Sequence, residues 1–146
     1  MSFYRHVAIS MLKQNSKRLA ESILKCIVSG DINKYDKFIS EYISIANDIT
    51  VKPDGVKLDA WEYNLSIFEY FPTDYRDSSI MLRELRLSNS ISKDFIISQD
   101  IIDSVYTVFY KIKKTLIPIL VRVNNYNKDD FIKIIDNILD NIVEKR

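Results

Sequence analysis

"IIDSVYTVFYKIKKTL", residues 101–116, decides the class of fold. At 3.6 residues per turn, Ile102, Val105, Tyr106, Phe109, Ile112 and Leu116 fall on one stripe, while Lys111, Lys113 and Lys114 lie off it. A strand, whose side chains alternate between faces, would scatter the same apolar residues over both sides. The segment therefore reads as a long amphipathic helix that must bury one side. Just beyond it, Pro118 has no N–H to donate to the helix ladder, so a kink or a restart is expected there, with Thr115 as the cap of a restarted helix.

The same period extends outward in both directions. After "NNYN", Asn127 and Asp130 form a cap-like pair, and a last helix carries Phe131, Ile135, Ile138 and Ile142 on one face. Upstream, "SNSISKD" interrupts the pattern, so the long helix is expected to start between Ser92 and Ser98. Asp74 is a good N-cap for a helix that turns Leu82 and Leu85 inward. Before it, Asp59 caps "AWEYNLSIFEYF", which Pro72 ends, and Trp61, Leu65 and Phe68 share the expected buried face. From Tyr4 to Val28, Ala8, Leu12, Leu19, Ile23 and Ile27 line one side of a first helix, interrupted by the polar "KQNSK". Gly30 then provides a left-handed stop and Asp31 a cap for a second helix, in which Ile32, Tyr35, Phe38, Ile39, Tyr42, Ile45 and Ile49 recur at three and four. So short a connection predicts an antiparallel helical pair.

One stretch departs from this pattern. In "ITVKPDGVKLDAW", residues 49–61, alternating Ile49 and Val51, then Val56 and Leu58, flank the turn-forming Pro53, Asp54 and Gly55. It reads as a short β-hairpin or a structured turn at residues 49–58. The expectation is an all-α, single-domain bundle spanning residues 1–146, with six helices, or seven if Pro118 divides one. No repeat, low-complexity segment or long linker divides the chain.

Composition narrows the chemistry further. Apolar residues make up 47% and charged residues 28% of 146 residues, enough to build one sizeable core. The longest apolar run, "TLIPILV", is far shorter than a membrane span. The N-terminal apolar stretch is followed by charge rather than by a small-residue cleavage site, so the expected location is the cytoplasm, and the host cytoplasm if the gene is viral. There are 23 Ile and 10 Asn against 4 Ala and 2 Gly, a bias toward AT-rich codons that fits a large DNA virus, a mobile element, a low-GC bacterium or some archaea, with a virus or mobile element as the expectation. That bias concerns lineage and not function.

Catalytic equipment is sparse. His6 is the sole histidine and Cys26 the sole cysteine, which removes helical zinc spacings and leaves a His–Cys dyad to tertiary folding alone. Neither glycine belongs to a phosphate-cradling motif. Asp136 and Asp140, one turn apart near Lys133, read as a solvated helix face. Glu62 and Glu69 lie among aromatics with no partner acid in the sequence. No catalytic, cofactor-binding or metal-binding residue is therefore assigned, and an enzyme is not expected.

Surfaces offer more. Residues 1–37 contain seven basic and three acidic side chains, residues 38–103 six and twelve, residues 104–123 four and none, and residues 124–146 four and five. A nearly neutral chain thus segregates its charge. Lys13, Lys17, Arg18 and Lys25 on the first helix and Lys111, Lys113 and Lys114 on the long one are a candidate basic patch. The aromatic-rich segment 61–75 supplies candidate protein contacts at Tyr63, Tyr70, Phe71 and Tyr75. These features predict a non-enzymatic helical interaction protein, a regulator, host modulator or assembly subunit, whose partner is another protein. The alternative is a nucleic-acid-binding subunit that contacts phosphates through its basic helices. A homo-oligomer is compatible with either.

Overall fold

The computed structural model describes residues 2–29, 58–66, 68–122 and 127–143. Among these residues the chain forms five helices and no strand: α1 (Ser2–Ser29), α2 (Ala60–Ser66), α3 (Tyr75–Leu87), α4 (Gln99–Arg122) and α5 (Lys128–Val143). The expected second helix lies outside the described residues, and so does the hairpin or turn at 49–58 apart from its last residue, Leu58, which is buried.

The central element is α4, against which each of the other four helices packs; α1 also packs on α2. Val105, Phe109, Ile112 and Leu116 are buried as their spacing requires, joined by Val108 and Leu120. Ile102 and Tyr106, at the edge of the stripe, are only half-buried. Of the two expected outcomes the restart does not occur: α4 continues through Pro118, and Thr115 lies within the helix rather than at a cap. The reason is exposure: Pro118 faces solvent, so the Lys114 carbonyl that loses its ladder donor can be served by water. The Pro118 carbonyl also accepts a bond from Arg122 Nε at 3.0 Å.

The first helix runs through its polar interruption. Leu12, Leu19, Ile23 and Ile27 are buried, and Ser16 occupies the same stripe in a buried setting, small enough to leave the packing intact. Leu24, Ala20 and Cys26 widen that buried face. On α5, Phe131, Ile135 and Leu139 are the fully buried series, while Ile138 packs from the side.

Helix boundaries follow local chemistry. Asp74 caps α3, with its carboxylate accepting from the Asp77 N–H at 2.7 Å. In return the Asp77 carboxylate accepts from Thr73 Oγ1 at 2.8 Å, fixing the entry of the chain. At the other end, Ser90 N–H donates to the Leu85 carbonyl and Asn89 N–H to that of Arg86, a Schellman pair made possible by the left-handed φ of 61° at Asn89. Ser98 caps α4 through its bond from Ile101 N–H, and Asn127 caps α5 by accepting from Asp129 N–H.

The largest departure concerns the aromatic segment. The helix expected to reach Phe71 ends at Ser66, whose hydroxyl donates to the Tyr63 carbonyl at 3.3 Å and so competes with the backbone ladder. The chain then turns at 68–71, closed by a Phe71 N–H to Phe68 carbonyl bond of 3.1 Å. This turn carries both rings into the core, where Phe71 meets Phe68 at 5.1 Å and Phe109 at 4.6 Å, both edge to face. Trp61, expected in the core, is 61% exposed, and Tyr63 is buried in its place. Buried Glu62 explains the rotation of α2: its carboxylate folds back to accept from Asp59 N–H at 3.0 Å, completing the N-terminal cap from the inner side.

Candidate functional site

A row of rings runs along the solvent side of α3 and α4. Tyr106, Tyr110 and Lys114 are spaced one turn apart on α4, so their side chains follow one another along the helix. Tyr106 and Tyr110 stack at 6.0 Å and 21°, and the Lys114 ammonium sits 5.7 Å from the centre of the Tyr110 ring. That distance permits a cation–π attraction of about 0.5–1 kcal/mol at an exposed site. Tyr75, the first residue of α3, closes the row from the neighbouring helix, 4.8 Å from Tyr106. Tyr75 and Tyr110 are about half exposed, and Tyr106 between them is half-buried. The three rings form one continuous, partly exposed aromatic surface.

Of the four expected contact residues, this row includes only Tyr75. Tyr70 is exposed but lines a separate cavity of about 260 Å³ between α1 and α3, with Lys17, Glu21, Met81 and Glu84. Tyr63 and Phe71 are buried, which corrects their reading as surface contacts: the turn after α2 and the rotation of that helix direct both into the core. Tyr106 and Tyr110 are not among the expected contacts, although their one-turn spacing to Lys114 is legible in the sequence. Assigning Tyr106 to the buried stripe concealed it.

The basic residues also divide. Lys13 pairs with Glu69 at 3.3 Å, so one member of the α1 cluster is compensated within the molecule, and Lys17 lines the same cavity as Glu21 and Glu84. Arg18 is exposed and Lys25 half-buried. On α4, Lys111 and Lys114 are exposed and Lys113 is half-buried. Only there do the cations adjoin the tyrosine row.

Local geometry decides one catalytic arrangement directly. His6 and Cys26 belong to the same continuous helix, separated by about 30 Å at 1.5 Å per residue, so they form no dyad within one chain. His6 is exposed and Cys26 fully buried. Among the described residues no group of three or more His, Cys, Asp or Glu side chains is placed to hold a metal, and no helix is long and apolar enough to cross a membrane. Comparison with protein-family models, with curated proteins and with solved structures yields no match.

Proposed function

We propose that this chain is a non-enzymatic helical interaction protein, a regulator or assembly subunit acting in the cytoplasm, which docks another protein on the Tyr75–Tyr106–Tyr110 row. The observation that carries the reading is that these rings contact one another in a row on the solvent side of the bundle, Tyr106 stacked on Tyr110 and Tyr75 tilted against Tyr106. Tyrosines in such positions supply contact area and a hydroxyl at little rotamer cost, the usual character of an interface anchor. The ion pair of Lys13 with Glu69 favours a protein partner over a phosphate backbone, because it takes one of the seven candidate basic residues out of the surface that nucleic-acid binding would need.

A second reading draws on one specific feature. Lys111, Lys113, Lys114 and Arg122 lie in a segment without acids, beside stacked tyrosines, and stacking platforms flanked by cations also suit single-stranded nucleic acid. Both readings are tested by affinity capture from nuclease-treated lysate, comparing the wild type with a Tyr106→Ala, Tyr110→Ala variant of unchanged helicity. Protein capture that survives nuclease and is lost in the variant is the expected result. Capture that nuclease abolishes, or that ignores both tyrosines, overturns the protein-docking reading.

A further inference from the structure

The tyrosine row continues into a basic cleft. Tyr75 meets Tyr106, and Arg86 Nη1 donates to the Phe95 carbonyl at 3.2 Å in the loop before α4, so α3 and α4 run antiparallel in one register. Between these two contacts, Ser79 and Ile102 line a cleft of about 430 Å³. Ile102 precedes Tyr106 by one helical turn, about 6 Å, which makes the cleft and the rings parts of one seam. The cleft is open to solvent, so an extended segment can enter it from the surface.

Three cations border the cleft, Arg83, Arg86 and Lys93, against one acid, Asp94. They stand within residues 38–103, the most acidic part of the sequence, so the local charge is opposite to that of its segment. Among the described residues no carboxylate comes within salt-bridge distance of Arg83 or Lys93, in contrast to Lys13. Arg86 is held in place by its bond to the loop and retains further N–H donors. The lining is mixed: beside the polar residues, Phe95, Ile97 and Ile102 are half-buried, and Ile96 at the rim is 79% exposed.

We infer that this cleft binds an acidic peptide segment of a partner protein, with an apolar side chain against Phe95, Ile97 and Ile102 and neighbouring carboxylates on Arg83, Arg86 and Lys93. Planar guanidinium groups match carboxylates in a bidentate fork. Ile96, Ile97 and Ile102 offer an apolar contact beside the cations that a leucine or isoleucine side chain of a peptide can fill. The inference rests on the protein-docking reading and adds the chemistry of the partner to it.

The test is fluorescence polarisation of a short fluorescein-labelled peptide alternating glutamate and leucine, against the same peptide with glutamine for glutamate and against a short oligouridylate. The full chain is compared with an Arg83→Glu, Lys93→Glu variant and with a milder Arg83→Gln, Lys93→Gln variant, each checked for helicity. The glutamate peptide is expected to saturate the wild type and to bind at least about tenfold more tightly than the glutamine peptide, with a similar loss on charge reversal and a smaller loss on neutralisation. No saturable binding, or equal binding of the two peptides or of wild type and reversed variant, overturns the cleft assignment. If the tyrosine variant still loses nuclease-resistant protein capture in that case, the docking reading survives without it. Oligouridylate binding in place of peptide binding, lost on charge reversal, overturns both.

Discussion

Replacing Phe71 by alanine should destabilise the protein far more than replacing Trp61, although tryptophan is the larger ring. Phe71 is 3% exposed and touches two other rings edge to face, at 5.1 and 4.6 Å. Truncating a buried phenylalanine costs about 3–5 kcal/mol, and each aromatic pair adds roughly 0.5–1.5 kcal/mol beyond its area. Because the measured truncation range already contains the loss of such pairs, about 4 kcal/mol, its middle, is expected for Phe71→Ala. Phe71→Leu keeps most of the volume and loses mainly the ring pairs, for about 1–3 kcal/mol. Trp61 is 61% exposed, so less than half of a core-type loss applies, and alanine recovers up to about 0.5 kcal/mol of helix propensity. The net cost of Trp61→Ala is about 1 kcal/mol. Urea denaturation followed by far-UV ellipticity is the suitable assay, because Trp61 is the only tryptophan and its fluorescence disappears in that variant. With a slope near 2 kcal/mol per molar, the midpoint should fall by about 2 M for Phe71→Ala and about 0.5 M for Trp61→Ala. Equal shifts, or a larger one for Trp61, would refute the placement of α2 and of the turn that follows it. Because 4 kcal/mol is a large part of a typical domain's ~5–15 kcal/mol, Phe71→Leu keeps the comparison measurable if Phe71→Ala does not fold.

Two further expectations concern the ends and the middle of helices. Asp74→Ala removes the acceptor of the Asp77 N–H and should lower stability by about 1 kcal/mol, whereas Asp74→Ser should restore most of it; thermal melts of the three proteins decide, and no loss in the alanine variant rejects the cap. Pro118→Ala returns a ladder hydrogen bond to the exposed side of α4. Against a helix penalty of about 3 kcal/mol for proline, the unfolded chain gains back roughly 0.4–1 kcal/mol of freedom, and fraying near the helix end reduces the rest, leaving a stabilisation of about 1–2 kcal/mol. The melting temperature should therefore rise by about 3–6 °C, and a fall would show that the ring itself packs on something essential.

The pattern of three and four residues along the sequence determined where α1, α3, α4 and α5 lie, because a helix that buries a stripe must repeat its apolar residues at that interval. The caps at Asp74 and Asn127 were equally legible, since a short polar side chain before an apolar run meets backbone donors only one turn away. Pro118 marked a strain that a local reading overestimates: whether a missing hydrogen bond breaks a helix depends on whether its carbonyl faces water, and exposure is tertiary. The aromatic segment had rings in every direction, so periodicity left its rotation undetermined; the inward fold of Glu62 to Asp59 and the turn at Phe68–Phe71 settled it, hiding Tyr63 and Phe71 and exposing Trp61. The tyrosine row needed Tyr75 and Tyr106 from different helices, and the basic cleft needed Arg83 and Arg86 beside Lys93 across a loop. Summing charge along segments placed that cleft in acidic territory, because a segment's net charge averages over all sides of its helices. Only the packing of α3 against α4 decides which of those charges share a surface.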